Sequence, residues 1–340
     1  MSGRKILSVF IVLVSLLVVR DPASSFSNTE NEKLSSAKSF QEVFQKISET
    51  QLLTTEDSPI AHISDMEIDR EGRFIIADGW QSRAVYVFGP DGRFIKELGR
   101  KGQGPGEYLN PVSIEIGKKE EIWVSDYGNN RINIYSKELS FKSQILFTSR
   151  ILHYLHLNSR NEIYMYRSTA NPLKPDTSDT IFRYDAQGNK IASFAPFPKE
   201  ALKVKFWAAQ DGMTIGRDDF IYEMNPLYYQ IRKFSPEGEL TGSFSRKTRL
   251  FQVITEKGKT PIVVYGPYYL QRGLVIAHVS EHLEIYDSEG HFIVGELAFS
   301  EKIIGVRGNR LYTEVWEDEG KGEVLLNPKI VCYQLRPLLF

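Results

Sequence analysis

Six times along the chain a short alternating run ends on an aromatic: RAVYVF at Phe88, RINIY at Tyr135, TIFRY at Tyr184, YQIRKF at Phe234, HLEIY at Tyr286 and PKIVCY at Tyr333. The intervals between successive aromatics are 47, 49, 50, 52 and 47 residues. A repeat of that length is one supersecondary unit that buries both of its faces only by stacking on copies of itself. In the first copy the order is DMEID, the turn REG, RFIIAD, a hairpin loop, RAVYVF, the turn GPDG and RFIKELG, which reads as four strands in series. The turns Gly89-Pro90-Asp91-Gly92, Asp185-Ala186-Gln187-Gly188, Ser235-Pro236-Glu237-Gly238 and Asp287-Ser288-Glu289-Gly290 place glycine where positive φ is wanted. They predict a tight hairpin with an adjoining bulge between third and fourth strands.

Six such sheets set radially make an all-β fold, a six-bladed β-propeller with four antiparallel strands per blade. The last repeat ends PKIVCYQLRPLLF without a fourth strand of its own. Residues 43–53 are expected to supply it, so that an N-terminal strand completes the last blade and closes the ring. The propeller then occupies residues 43–340. Residues 26–42 are a polar lead-in, flexible or briefly helical, with Ala37, Phe40, Phe44 and Ile47 at helical spacing. Residues 1–25 have the form of a signal peptide: Arg4 and Lys5, an apolar run over 6–19, then Ala23-Ser24-Ser25. That run is shorter than the roughly 20 residues a membrane-spanning helix needs, so export is expected, with no stable membrane span after cleavage.

Two stretches interrupt the repeat. Residues 168–180, STANPLKPDTSDT, lengthen a second-to-third strand loop. Residues 245–266 insert before the fifth blade and contain LFQVI and PIVVYG around TEKGKT, the pattern of an extra hairpin able to mediate self-association.

The stretch LGRKGQGPGEYLNPVSIEI followed by EIWVSDYGNNRINIY resembles the NHL-repeat six-bladed propellers, most of all exported bacterial proteins with a GxGPGE connector in their first blades. The likeness covers residues 63–135 and continues beyond them in strand rhythm only. It implies a binding scaffold, with a minority of such propellers being enzymes; fold alone confers neither. Read physically, Gly99, Gly102, Gly104 and Gly106 turn the chain sharply between blades while Pro105 and Pro111 stiffen it. Asp78 with Arg83, and Asp126 with Arg131, each lie five apart across a hairpin loop and are expected to act as structural clamps.

Chemistry is harder to find. The residues remaining after removal of 1–25 carry a net charge near -3, which gives no attraction for nucleic acid. The glycine connector lacks a following Gly-Lys-Ser/Thr and leads into a strand, so it is no nucleotide cradle. There is no HExxH or GxSxG, and glycosidase-type carboxylate pairs are not recognisable from spacing. His278 and His282 flank a short hairpin and are the weak metal candidates, for zinc or calcium, in an alternative lactonase- or lyase-type reading. His153 and His156, three apart on one strand, are expected to diverge. Cys332 reads as a buried thiol, and of Trp80, Trp123, Trp207 and Trp316, the candidates to line a sugar or peptide groove, Trp123 reads more simply as core and Trp80 is the best exposed.

Second-to-third strand loops and blade connectors emerge on one rim of a propeller. That rim is where a protein, peptide or glycan of the cell envelope is expected to bind, without catalysis and without a cofactor, in a periplasmic or extracellular location. The residues expected there are Trp80, Arg83, Arg100, Glu107, Tyr108, Asn130 and Arg131.

Overall fold

The computed structural model describes residues 34–53, 60–148, 154–167, 179–197, 211–225, 229–247, 264–316 and 328–337. A four-residue helix, α1 (Phe40–Val43), leads straight into β1 (Phe44–Gln51). Blade one is β2 (Asp65–Ile68), β3 (Phe74–Asp78), β4 (Ala84–Phe88) and β5 (Phe94–Glu97). Blade two is β6 (Pro111–Ile116), β7 (Ile122–Asp126), β8 (Arg131–Tyr135) and β9 (Phe141–Leu146). Blade three is β10 (Tyr154–Leu157), β11 (Ile163–Tyr166), β12 (Asp179–Tyr184) and β13 (Lys190–Pro196). Blade four is β14 (Met213–Ile215), β15 (Ile221–Met224), β16 (Ile231–Phe234) and β17 (Leu240–Phe244). Blade five is β18 (Val264–Leu270), β19 (Leu274–Val279), β20 (His282–Asp287) and β21 (Phe292–Ala298). Blade six is β22 (Lys302–Arg307), β23 (Arg310–Val315) and β24 (Lys329–Leu335), completed by β1, whose Phe44 to Gln51 pair antiparallel with Leu335 to Lys329.

The ring is therefore a six-bladed β-propeller closed as the sequence predicts. The first strands touch in the order β22, β2, β6, β10, β14, β18 and back to β22, so they encircle the axis. Successive residues of β3 show why both faces of a blade are apolar. Phe74 and Ile76 pack with Ile304, Tyr312 and Ile330 of blade six, while Ile75 and Ala77 pack with Ile114, Ile122 and Val124 of blade two. Each seam holds its own apolar cluster. The six recurring aromatics fill the six seams, each turned toward the preceding blade: Phe88 toward blade six, Tyr135 toward blade one, and so on round to Tyr333 toward blade five.

The third-to-fourth strand turns have a second role. Gly238 has φ 95°, and a Cβ there would stand 2.5 Å from the ring of Phe194 on the outer strand of blade three. In blade two a non-glycine residue, Leu139 at φ 64°, takes the equivalent place, and its carbonyl accepts from Lys96 Nζ of blade one at 2.8 Å. Each of these turns thus rests on the outer strand of the blade before it. The bulge falls at the recurring aromatic, as between Val87 and Phe88 or Lys233 and Phe234.

Two expectations change. The lead-in packs from residue 34 onward: Leu34 and Phe40 are buried in the seam between blades five and six. Helical spacing ends at Val43, and Phe44 and Ile47 belong to β1. Residues 264–266, expected in an insertion, open the inner strand β18, and residues 248–263 and 168–178 lie outside the described residues.

Candidate functional site

Two places concentrate polar chemistry: the loop-rich rim of blades one and two, and the channel beneath it. At the rim, buried Asp78 accepts the amides of Ala61 (3.0 Å), His62 (3.4 Å) and Gln81 (3.1 Å). Buried Asp126 likewise accepts those of Leu109 (3.2 Å) and Asn110 (2.8 Å). A carboxylate at the end of each second strand therefore fixes the chain that enters the first strand of its own blade.

The two expected clamps differ. Nε of Arg131 lies 3.8 Å from Asp126 Oδ2, both groups buried. Asp78 forms no ion pair with Arg83 among the described residues, and register explains it. Asp126 is opposite Arg131, whereas Asp78 is opposite Ala84. The first loop is one residue longer, so Arg83 (φ 56°) takes the left-handed position that Asn130 (φ 55°) takes in the second.

Arg131 is the hub of the glycine connector. Its Nη1 donates to the Gln103 carbonyl and to Gln144, both at 3.1 Å, and its Nη2 donates to the carbonyls of Gly104 (2.7 Å) and Glu107. Asn129 Nδ2 holds the Gly102 carbonyl at 2.9 Å, and Asn133 Nδ2 holds that of Glu107 at 3.2 Å. The Glu107 carboxylate accepts from Gly104 N (2.8 Å) and Arg100 Nε (3.0 Å), which hold its pKa below the ordinary value. Gly99 (φ 76°) permits the crossing, since a Cβ there would meet the Gly106 carbonyl at 1.8 Å.

This geometry sorts the expected rim residues. Tyr108 is fully buried and its hydroxyl donates to Tyr135 at 2.9 Å, so it presents nothing to a partner. Arg131 is buried, and Asn130 Nδ2 is tied to the Phe147 carbonyl. Trp80 is 81% exposed, the Arg100 side chain is 81% exposed, and Arg83 is half-buried. The structure gives the rim three side chains with free faces and the connector the rest.

The channel is more polar than the sequence suggests. Asp65 on β2 accepts from Ile114 N (2.7 Å) and Ser113 Oγ (3.0 Å) on β6, and Ser113 Oγ accepts in turn from Leu155 N (3.2 Å) on β10. His156 stands between two carboxylates, with Nδ1 3.2 Å from Glu115 Oε1 and Nε2 2.9 Å from Asp211 Oδ2. Four adjoining blades are joined in this way.

Encirclement by protein sets the proton affinities. Burial, with Asp211 and Glu115 adding, pushes the Asp65 carboxyl up to about 7 against the Ile114 and Ser113 donors. Glu67 is raised well above its ordinary value by burial and by Glu115 and Asp65, with Arg307 opposing. Burial also raises Glu115, against His156. For His156 burial disfavours the charged ring, but Asp211 and Glu115 outweigh it and the pKa is raised. The channel thus gathers Asp65, Glu67 and Glu115, whose carboxyls are raised, with His156, whose pKa is also raised, an arrangement suited to exchanging a proton.

His278 and His282 do not converge. His278 is opposite Leu283, and Val279 is opposite His282. Opposed residues share a face and neighbours alternate, so the two rings leave opposite faces of the sheet. Burial lowers the His278 pKa, and its Nε2 lies 3.0 Å from the Phe299 carbonyl. Trp123 and Cys332 are core, Trp316 Nε1 donates to Glu314 at 3.0 Å, and Trp207 and His153 fall outside the described residues.

Comparison with solved structures returns the same architecture. A Bacteroides fragilis protein named as exported superposes with a TM-score of 0.60 at 12% identity, over 88% of this chain and 98% of that one. A member of the DUF4221 family from Bacteroides vulgatus gives 0.60 at 8% identity, over 87% and 99%. A gluconolactonase of Xanthomonas campestris gives 0.50 at 11%, over 86% and 99%. At these identities the likeness is one of fold. Among curated proteins, the mouse E3 ubiquitin-protein ligase TRIM32 is 38% identical over 45 residues, which span 13% of this chain and 7% of that protein. Among the described residues no helix is long and apolar enough to cross a membrane. The profile described as "Domain of unknown function (DUF4934)" matches residues 24–252, about two thirds of the sequence, and the chain belongs to that family.

Proposed function

We propose that this chain is an exported, non-enzymatic recognition propeller, freed of residues 1–25 as a signal peptide, that holds a protein, peptide or glycan of the cell envelope on its loop-rich rim. The observation that carries this reading is Trp80, a large ring 81% exposed on a loop whose backbone is pinned by buried Asp78. An exposed indole on a pinned loop, with arginines nearby in sequence, is the composition of a binding hot spot. Arg83 and Arg100 complete the proposed surface. The NHL-repeat resemblance of residues 63–135 and the exported name of the B. fragilis protein support scaffold and location.

The test is capture from the native envelope by the immobilised mature protein. A partner retained by the wild type and lost with Trp80→Ala, at unchanged melting temperature, supports the reading. Equal capture by Trp80→Ala and by Arg100→Ala defeats it.

The channel favours a second reading, a metal-assisted lactonase or lyase with its site at the channel mouth, because Asp65, whose carboxyl is raised to about 7, and His156, whose pKa is also raised, both line the channel below it. Among the described residues no three His, Cys, Asp or Glu side chains are grouped to hold a metal ion. Zinc or calcium retained through purification, with a melting temperature lowered by chelator, would carry this second reading.

A further inference from the structure

The ring-closing seam contains a cavity of about 530 Å³ that neither the rim nor the channel uses. Its apolar lining is Phe40 of α1, Phe44 of β1, Phe299 of the connector into blade six and Tyr333 of β24. The rings support one another: Phe40 lies 4.4 Å from Phe299 and 5.0 Å, edge-on, from Tyr333. The same cavity is lined by Glu281 and Glu301. Glu301 is held by neutral donors alone, Oε1 by the Tyr333 hydroxyl at 2.6 Å and Oε2 by the Thr313 hydroxyl at 2.5 Å. Among the described residues no lysine or arginine pairs with it. Lys46, also on the lining, is engaged with Glu49 at 2.5 Å.

A carboxylate fixed in place, short of a counter-charge and bordered by aromatic rings, meets the two needs of an organic cation: charge at one end and a face for its apolar body. We infer that this cavity binds an organic ammonium, its nitrogen at Glu301 and its carbon body on the aromatic wall. With Lys46 held by Glu49, Glu281 and Glu301 set the charge of the lining, which favours a cation over a phosphate or carboxylate. A free amine and a lysine side chain of another protein share this chemistry. The inference stands apart from the rim reading and does not depend on it.

The test is titration of the mature protein with benzylammonium and with benzyl alcohol, followed by calorimetry and ligand-observed NMR. The ammonium is expected to bind saturably and the alcohol at least about ten-fold more weakly, as loss of a charge-assisted hydrogen bond implies. Glu301→Gln is expected to remove that preference. Ser300→Trp, which leaves both hydroxyl contacts of Glu301 in place while filling the cavity lining, is expected to abolish binding of both compounds. Trp80→Ala is expected to change neither. Binding of Nα-acetyl-lysine methylamide as tight as that of benzylammonium would assign the natural ligand to a protein lysine, and much weaker binding to a free amine. Equal affinity for amine and alcohol, amine binding unchanged in Glu301→Gln at wild-type melting temperature, or no amine binding at all would each overturn the inference.

Discussion

Nε2 of His156 stands 2.9 Å from Oδ2 of Asp211, so the first strand of blade three is tied to the segment entering blade four inside the channel. Nδ1 of the same ring meets Glu115 of blade two at 3.2 Å. The ring is thus fastened at its centre by charge as well as at its seams by apolar packing, and proton uptake at the centre feeds into the stability of the whole.

The pH dependence follows from the common direction of these shifts. Asp65, Glu67, Glu115 and His156 are all raised, so the folded protein holds their protons more tightly than the unfolded chain does. Stability from such groups is greatest at low pH and is lost as pH rises through the folded-state values. For Asp65 the window runs from the ordinary 3.8 to about 7, and for His156 it opens at the ordinary 6.5 and extends upward. The melting temperature is expected to fall steadily from about pH 5 to pH 8. Asp65→Asn should flatten the lower part of the curve and His156→Gln the upper part. Identical slopes in all three proteins would remove the channel as the source.

Arg131→Ala should be the most damaging single change at the rim. It strips the connector of its carbonyl partners and leaves Asp126 buried without its cation, at a cost of roughly 3–5 kcal/mol in chemical denaturation. Arg131→Lys should recover little, because one ammonium cannot reproduce the fork that reaches Gln103, Gly104 and Glu107. Arg100→Ala, at an exposed pair with Glu107, should leave the denaturation midpoint nearly unchanged. A mild Arg131→Ala would show that Asn129, Asn133 and the Glu107 carboxylate hold the connector without the guanidinium.

Much of this architecture is legible in the chain, and the reason is physical. The aromatic that ends each third strand sits at a bulge and fills a seam, so it recurs at the blade interval, and the turn that follows takes a positive-φ residue, glycine at 92, 188, 238 and 290 and Leu139 in blade two. The channel is much less legible. Asp65 and Glu67 alternate with Met66 and Ile68 just as a solvated strand face would, and only ring closure turns that face toward Glu115, His156 and Asp211. Polar residues at alternate positions of several first strands were the available signal. The spacing of five shared by Asp78–Arg83 and Asp126–Arg131 misleads for a different reason: a one-residue difference in loop length changes which residue faces the aspartate. Burial of Tyr108 is likewise invisible to spacing, because its ring enters the apolar seam between blades one and two, which exists only once the blades stack.

Gly238→Ala tests the seating of one blade's turn on the blade before it. The added methyl meets the Phe194 ring at 2.5 Å and forces an L-residue to φ 95°, so a loss of about 1–3 kcal/mol is expected. Adding Phe194→Leu should return part of that loss by removing the clash while leaving the strained φ. If the double variant is no more stable than Gly238→Ala, the glycine serves its own turn and not the seam.

Ring closure rests on β1, which joins the N-terminal side of the chain to β24 and brings Phe40, Val43 and Phe44 into the seam between blades five and six. Removing residues 1–53 should leave β24 an open edge and that seam half empty, with loss of cooperative unfolding and a tendency to associate through the exposed strand. Because the pairing runs antiparallel from Phe44 with Leu335 to Gln51 with Lys329, broken only by a bulge between Lys46 and Ser48, a peptide of residues 34–53 supplied in trans should rebuild the blade and raise the melting temperature with peptide concentration. A shortened chain that unfolds as cooperatively as the intact one, or a peptide without effect, would mean that the five self-contained blades and the three strands of the sixth suffice to hold the ring.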